Sequence, residues 1–244
     1  LCRPFDHGAA ITTYSTTKYI GGHGTTIGGL IVDGGNFDWG KAGADRQPAM
    51  NTPDPCYGGV VWDEQVTKNM GLPFAYLLKL RTTLLRDLGG AMSPFNAWMF
   101  IQGLETLPLR MREHAKNAQA VAEALAANEK VQSVTYPGLF EGAEREKADK
   151  YMTGGYGALI GFELPGGKEA GSKFIDSLEL LYHVANIGDS RSLAIHPATT
   201  THSQLAPEEQ LSAGVTPGYV RLSIGIENVE DIIADISQAI DKAS

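Results

Sequence analysis

The chain of 244 residues is acidic, with 20 Lys and Arg against 28 Asp and Glu and a formal net charge of −8. This balance argues against nucleic acid and anionic membranes as partners, because neutralising phosphates requires clustered basic residues. Hydrophobic residues make up 43% of the chain, which excludes a disordered protein. The uncharged stretch at residues 88–104 is interrupted by Gly, Pro, Asn and Gln, unlike a bilayer-spanning helix. We therefore expect a soluble protein.

The thiols and imidazoles do not form a recognisable metal or disulfide pattern. Cys2 and Cys56 are the two cysteines; they match no CxxC spacing and cannot form a disulfide framework, which favours a reduced, cytoplasmic compartment. His196 and His202 are too far apart for a compact zinc pair and have no Cys partners nearby. We therefore expect no metal.

The N-terminal third alternates short strands with loops. Residues 9–14 have the β-branched content of a strand. Residues 19–32 read as a glycine-rich loop that leads into a second short apolar strand. Residues 38–57 carry three prolines with several Asp, Gly and Asn, which predicts a long irregular loop, and such loops are usually functional or form interfaces.

The rest of the chain alternates helices and strands. Ser93 followed by Pro94 predicts a helix start, Pro108 should kink or interrupt this helix, and residues 109–128 should resume it. Short strands are predicted at residues 131–136, 158–164 and 219–224. Asn228 should cap a final amphipathic helix. The class is therefore α/β, and the change of character near residues 105–130 predicts a domain boundary inside a helix.

The segment around Lys18 is the strongest chemical signal. Hydroxyls at Ser15 and Thr17 precede the lysine, and a glycine-rich turn at residues 21–24 follows it. Hydroxyls and glycine-loop amides suit a phosphate, and a lysine whose pKa is lowered can form a Schiff base. The pattern is neither a Walker A loop nor a dinucleotide fingerprint. On composition alone, a glycine-rich surface turn with an exposed lysine remains the favoured alternative.

Residues 15–24, Ser-Thr-Thr-Lys-Tyr-Ile-Gly-Gly-His-Gly, resemble the lysine segment of the Cys/Met-metabolism family of pyridoxal-phosphate (PLP) enzymes. Within that family, residues 22–29 are most similar to the O-acetylhomoserine sulfhydrylase branch. Three further blocks, at residues 86–107, 186–202 and 220–227, resemble the family's interdomain helix, its substrate loop and its arginine-bearing strand, and residues 38–57 resemble an insertion of that branch. The resemblance spans nearly the whole chain in order.

This resemblance implies roles for five side chains. Lys18 would hold PLP as a Schiff base and shuttle protons, and Ser15 and Thr17 would bind the PLP phosphate. Arg221 would bind the substrate α-carboxylate, a task suited to a planar bidentate donor, and Ser192 would lie beside that carboxylate or the Lys18 side chain. On its residues alone, Arg221 lies on the strand face opposite Val220 and Leu222, where a solvated arginine is the alternative.

The implied fold is fold type I of the PLP-dependent transferases, the aspartate-aminotransferase-like fold. Residues 1–105 would be the end of the large PLP domain, including the interdomain helix, and residues 106–244 the smaller C-terminal α/β domain. Since Lys18 stands so early in the chain, we expect a C-terminal part of a longer or nicked polypeptide. Its partners would be the N-terminal fragment and further copies, in a homotetramer built as a dimer of dimers.

The implied reaction is a γ-replacement in methionine biosynthesis. O-Acetyl-L-homoserine and sulfide, or methanethiol in place of sulfide, would be the small-molecule substrates, and L-homocysteine and acetate the products formed with sulfide. Two alternatives stay open at this point. One is a sister enzyme of the family, such as a cystathionine γ-synthase or a γ-lyase, and the other is a PLP-free fragment that acts only as a folded interaction domain.

Overall fold

Seven β-strands form two sheets in the computed structural model, which describes residues 1–244. Strands β1 and β2 pair with each other, and the other five form a sheet in the order β3-β4-β7-β6-β5. The strands are β1 (Ile11–Ser15), β2 (Gly29–Asp33), β3 (Ser133–Thr135), β4 (Leu159–Glu163), β5 (Tyr182–His183), β6 (Leu193–Ile195) and β7 (Tyr219–Ser223). All five predicted strands are confirmed within a few residues.

Nine α-helices accompany the strands, together with short segments of 3₁₀ and π geometry. The α-helices are α1 (Trp39–Arg46), α2 (Pro48–Asn51), α3 (Ala75–Lys79), α4 (Arg86–Leu88), α5 (Pro94–Ala126), α6 (Gly142–Tyr151), α7 (Gly167–Ser177), α8 (Pro207–Ser212) and α9 (Val229–Ala243). The π segments are Thr16–Ile20, Asp63–Asn69 and Leu80–Leu85, and the 3₁₀ segments are Pro4–His7, Pro55–Tyr57, Pro137–Leu139 and Pro197–Thr199. None of the helices is long and apolar enough to cross a membrane.

The residues group into two units. The larger unit comprises residues 1–2, 15–27 and 98–244, and the smaller unit comprises residues 3–14 and 28–97. Helix α5 is divided between them after Ala97. The boundary therefore falls inside a helix, though ahead of residue 105, and the Lys18 segment groups with the C-terminal residues. The family domains proposed at 1–105 and 106–244 stay a prediction.

The five-stranded sheet carries the core of the larger unit. Strand β7 lies between β4 and β6 and is antiparallel to both, whereas β5 and β6 are parallel. Ile160, Phe162, Val220 and Leu222 are completely or almost completely buried and belong to one cluster with apolar residues of α5, α7 and α9. One face of the sheet is therefore closed by helices, as the alternation in residues 219–224 predicts.

Helix α5 begins as its sequence predicts and continues where an interruption is expected. The Ser93 hydroxyl accepts a hydrogen bond of 3.1 Å from the Asn96 N–H, which confirms Ser93 as the N-cap. Of the two expected effects of Pro108, the interruption is wrong, because the helix runs through it, and the kink stays a prediction. Leu104, whose carbonyl loses the donor that Pro108 lacks, is 45% exposed. The missing hydrogen bond therefore lies at an exposed residue of the helix, where its loss costs less than in the core.

The smaller unit replaces the predicted irregular loop at residues 38–57 with short helices. The Asp38 carboxylate caps α1 by accepting from the Lys41 N–H at 2.9 Å, and Gly43 turns the chain within this segment with a φ of 73°. Proline is the first residue of both α2 and the Pro55–Tyr57 turn. The N–H that proline lacks would have no helical acceptor at that position, so no hydrogen bond is lost. Two of the three prolines that predicted an irregular loop, Pro48 and Pro55, therefore act as helix starts.

Asp235 of α9 binds the backbone of the chain segment that follows α7. Its carboxylate accepts three backbone N–H bonds of 2.9–3.0 Å from residues 179, 180 and 181. Burial raises the pKa of Asp235, but these three donors and Gln238 outweigh it, so the pKa lies below its ordinary value. The ionised form therefore stabilises the fold above the ordinary pKa of about 3.9, and this contribution is lost as the pH falls through the lower folded pKa.

Asp235→Asn is expected to lower the free energy of unfolding by about 2 kcal/mol at neutral pH, because hydrogen bonds to a charged acceptor are lost. The deficit relative to wild type should shrink once the pH falls below about 4. Urea unfolding across pH measures both effects. Asp241→Asn on the same helix is the control, since its exposed pair with Lys130 should contribute less than about 1 kcal/mol. Equal losses in the two variants would contradict this account.

Candidate active site

Lys18 lies in the turn that follows β1, at a break in the helical backbone geometry. Its φ of −85° and ψ of −131° are not helical, although its neighbours in Thr16–Ile20 form a single turn. The turn is closed on both sides of the break, by Gly21 N–H to the Thr16 carbonyl and Gly22 N–H to the Lys18 carbonyl, each at 2.8 Å. The lysine is therefore fixed at a defined corner rather than on a mobile surface loop.

Helix α5 packs closely against this turn. A Cβ atom on Gly103 would stand 2.2 Å from the carbonyl oxygen of Ile20, so only glycine admits the turn at this distance. Gly22 has a φ of +74°, and a Cβ there would stand 2.4 Å from Nη1 of the buried Arg110. Both positions thus require glycine for a steric reason. Part of the glycine richness after Lys18 is explained by this contact.

The loop at residues 186–192 holds the other side of the turn. The backbone N–H and the hydroxyl of Ser190 both donate to the Gly22 carbonyl, at 2.8 and 2.9 Å. Gly188 donates its N–H to the Ser223 hydroxyl at 2.9 Å and has a φ of +72°. The residues that resemble a substrate loop therefore contact the residues that resemble the lysine segment, although they are far apart in sequence.

Asn186 connects the two principal predicted site residues. Its side-chain oxygen accepts a hydrogen bond from the Lys18 ammonium, and its backbone carbonyl accepts one of 3.2 Å from Nη2 of Arg221. The structure thus brings Lys18 and Arg221 into contact with one residue. The sequence marked Asn186 only as part of a motif, because nothing in the residue itself indicates which side chains it will meet.

Arg221 keeps an unused donor. It projects from the middle of β7, where Gly161 and Ile195 are its neighbours on the two adjacent strands. Its Nε atom is buried and has no hydrogen-bond partner. A buried donor without an acceptor is costly, and a carboxylate oxygen would remove that cost. Arg221 therefore suits an anionic ligand better than the solvated strand face that was the alternative.

The hydroxyls before Lys18 lie at the end of β1 and in the turn. Ser15 is exposed and Thr17 is half-buried, whereas Thr16 between them is buried, and its hydroxyl has no partner. Hydroxyl donors beside a lysine and a glycine turn are a donor set that fits a phosphate. The binding of the PLP phosphate by Ser15 and Thr17 stays a prediction.

Ser192 lies in a different environment from Lys18 and Arg221. It is completely buried, and its hydroxyl donates to Glu227 at 2.9 Å and accepts from the Gly225 N–H at 2.8 Å. A hydroxyl has a single proton, so in this arrangement it has none to donate to a substrate carboxylate. The structure uses Ser192 to fix the end of β7, and a substrate contact stays a prediction.

Ser192→Ala is expected to lower the free energy of unfolding by about 1–3 kcal/mol, because the Gly225 N–H loses its acceptor and Glu227 loses a donor. The Michaelis constant for the amino-acid substrate should change little. Chemical denaturation and steady-state kinetics on the same preparation separate the two effects. An unchanged stability with a strongly raised Michaelis constant would contradict this account and support a substrate contact of Ser192.

Sequence reasoning missed two buried groups of α5. His114 is completely buried, donates from Nδ1 to the Ile224 carbonyl at 2.7 Å, and packs its ring edge-to-face against Tyr19 at 5.4 Å. Burial lowers the pKa of His114 and raises that of Tyr19, which favours the neutral form of both rings. Arg110 is 5% exposed. Helical spacing placed both on α5, but only the fold shows that they face the lysine turn.

An amine on a rigid turn, hydroxyls beside it and an arginine with a free donor form a site that fits PLP and an amino acid. Together with the α/β fold, this arrangement is that of a PLP-dependent enzyme of fold type I. The profile of the Cys/Met metabolism PLP-dependent enzyme family matches residues 1–241, and the chain belongs to this family. Its cofactor is therefore PLP.

Three similar proteins place the chain within the family. The O-acetyl-L-homoserine sulfhydrylase of Leptospira meyeri is 52% identical over 98% of this chain and 54% of its own length. The homocysteine synthase of Schizosaccharomyces pombe is 49% identical over 100% and 55%. A crystal structure of a provisionally assigned O-acetylhomoserine (thiol)-lyase from Campylobacter jejuni subsp. jejuni, which contains N'-pyridoxyl-lysine-5'-monophosphate, superposes with a TM-score of 0.89 at 40% identity, over 99% of this chain and 56% of that one. The chain thus spans about half the length of its relatives.

Proposed function

We propose that this chain belongs to an O-acetylhomoserine sulfhydrylase, which converts O-acetyl-L-homoserine and sulfide to L-homocysteine and acetate. The observation that carries the proposal is the connection of Lys18 and Arg221 through Asn186. This connection supports the proposal, because an amine and a guanidinium that both contact one residue would both reach one bound amino acid. The names of the similar proteins support the choice of substrate.

Four side chains would hold the cofactor and substrate. The amine of Lys18 would bind PLP covalently, and the hydroxyls of Ser15 and Thr17 would bind its phosphate. Bound PLP supplies an electron sink that lets protons leave the carbons next to the substrate amine. The unused Nε–H of Arg221 would donate to the substrate carboxylate and so orient the amino acid.

Lys18 would also move the protons. Once its amine is free, it can take a proton from one carbon of the bound amino acid and return it to another, provided that the amine stays near both. Asn186 accepts a hydrogen bond from this amine and would hold it at that place. Departure of acetate and addition of sulfide at the γ-carbon then complete the replacement.

We further propose the assembly in which this site works. An N-terminal part of the same polypeptide would supply the remaining contacts to the PLP ring, and a homotetramer in the cytoplasm would be the active form. The relatives are about twice as long as this chain, which supports the first point. The two exposed, unpaired cysteines support a reducing compartment.

A substrate panel tests the activity. The PLP-loaded protein is given O-acetyl-L-homoserine with sulfide, with methanethiol, with cysteine or with no nucleophile, and the products are identified by mass spectrometry. Homocysteine and acetate from the sulfide reaction are expected. Cystathionine as the main product would favour a γ-synthase, and a 2-oxo acid and ammonia without a nucleophile would favour a γ-lyase. A purified protein that shows no visible PLP band after incubation with PLP would favour the non-catalytic alternative.

A further inference from the structure

Arg110 of α5 connects three backbone carbonyls from two chain segments. Its Nη1 donates to the Tyr19 carbonyl at 2.8 Å, and its Nη2 donates to the carbonyls of Ile20 at 3.3 Å and Gly103 at 2.8 Å. Its Nε donates to the Thr106 hydroxyl at 3.1 Å. Residues 19 and 20 directly follow Lys18, so the guanidinium fixes the backbone at the exit from the lysine corner.

The donor in these contacts is a buried, charged guanidinium, although neutral donors could also form hydrogen bonds with the same carbonyls. Arg110 is 5% exposed, and all four of its acceptors are uncharged oxygens. Burial lowers the pKa of this guanidinium. Removing a charge from water without a carboxylate partner costs stability. Stabilisation of the fold alone is therefore a weak reason for an arginine at this position.

The geometry of the guanidinium is a stronger reason for an arginine at position 110. Its planar fork holds its N–H groups in fixed directions, so it sets two successive carbonyls and the helix backbone in one arrangement. Gly22 also contacts it, since a Cβ there would stand 2.4 Å from Nη1. A lysine at position 110 would keep the charge but would not reproduce this fork.

We propose that Arg110 is a positioning residue that sets the direction in which Lys18 leaves its turn. The inference rests on the proposed function, because the direction of Lys18 is important only if its amine binds PLP and moves protons. By fixing residues 19 and 20, Arg110 keeps the Lys18 amine beside Asn186 and in line with an amino acid bound by Arg221. Arg110 itself contacts no reacting atom.

Arg110→Lys in the PLP-loaded protein tests this role. A misplacement of about 1 Å costs about 100-fold in rate, so kcat should fall about 100-fold while the Michaelis constants change little. The circular dichroism of the visible PLP band should change as well, since it reports the orientation of the cofactor on Lys18. Arg112→Lys, an exposed arginine of the same helix, should leave kcat and the dichroism unchanged.

Thr106→Val is a milder second variant that removes the hydroxyl that accepts from Nε of Arg110 and donates to the Gly103 carbonyl at 3.4 Å. It should lower kcat about tenfold and shift the dichroism in the same direction as Arg110→Lys. It decides the question if Arg110→Lys does not fold. Thermal unfolding of both variants shows whether the loss of rate exceeds the loss of folded protein.

The outcomes separate this inference from the proposed function. Borohydride reduction and peptide mapping of the wild-type protein first establish whether PLP is attached to Lys18, and its absence there would overturn the proposed function. With PLP on Lys18, wild-type kcat and dichroism in Arg110→Lys and Thr106→Val would overturn the positioning role alone. Rate losses that only follow unfolding, with an unchanged dichroism, would also overturn it.

Discussion

Lys18→Ala is expected to abolish covalent PLP binding and to lower turnover by about 1000-fold or more. The variant lacks the amine that would bind the cofactor, and the same amine would move the protons, so both roles are lost together. The measurements are the visible absorption of the purified protein and the rate of homocysteine formation from O-acetyl-L-homoserine and sulfide. Retention of both signals would contradict the assignment of Lys18.

Two further substitutions make the Lys18 result specific. Lys18→Arg keeps a positive charge that can still donate to Asn186, but a guanidinium does not bind an aldehyde as an amine does. It should therefore lose the visible band like Lys18→Ala while keeping wild-type stability. Lys116→Ala, which removes an exposed lysine paired with Glu113, should keep the band and the turnover. A normal band in Lys18→Arg would show that PLP is held at another residue.

Arg221→Ala is expected to lower kcat/KM for O-acetyl-L-homoserine by about 1000-fold. The unused Nε–H and a second N–H of the guanidinium would each donate a charge-assisted hydrogen bond to the carboxylate, about 4 kcal/mol in total, which corresponds to this factor. Arg221→Lys keeps one donor and the charge, so a smaller loss of about 30-fold is expected. Steady-state kinetics with the amino acid varied at saturating sulfide gives both values.

Sulfide provides an internal control for Arg221. It has no carboxylate, so its Michaelis constant should not change in either variant at saturating O-acetyl-L-homoserine. Arg145→Ala, which removes an arginine paired with Asp149 at the surface, is the matched control and should keep wild-type kinetics. An equal rise in the Michaelis constants of both substrates would indicate general damage to the site and would contradict a specific carboxylate contact.

Local structure was predictable where interactions between residues close in sequence determine it. The strand at residues 219–224 follows from alternation of apolar and polar residues, and the start of α5 follows from Ser93 and Pro94, because pleat geometry and capping act between close neighbours. The short helices within residues 38–57 were missed. Their prolines and glycines are compatible with both a loop and a helix start, and only packing around the core of Met50, Trp62, Val66 and Ala75 selects the helices.

The part of the site formed by residues close in sequence was also predictable. The sequence itself placed Ser15 and Thr17 beside Lys18, since their proximity is covalent. The substrate-contact role of Ser192 was implied by the resemblance, but its hydroxyl is engaged by Glu227 and Gly225. A serine can serve either a ligand or the fold, and the residues that surround it decide which.

The sequence by itself determined the α/β class, the acidic character of the chain, and the segment in which we propose the reactive amine. Only the tertiary structure decided that Asn186 lies between Lys18 and Arg221, and that Arg110 closes the turn from α5. The reason is the range of the forces involved. Periodicity and capping depend on neighbours a few residues apart, whereas these contacts join residues about 35 to 168 positions apart and exist only once the core has closed.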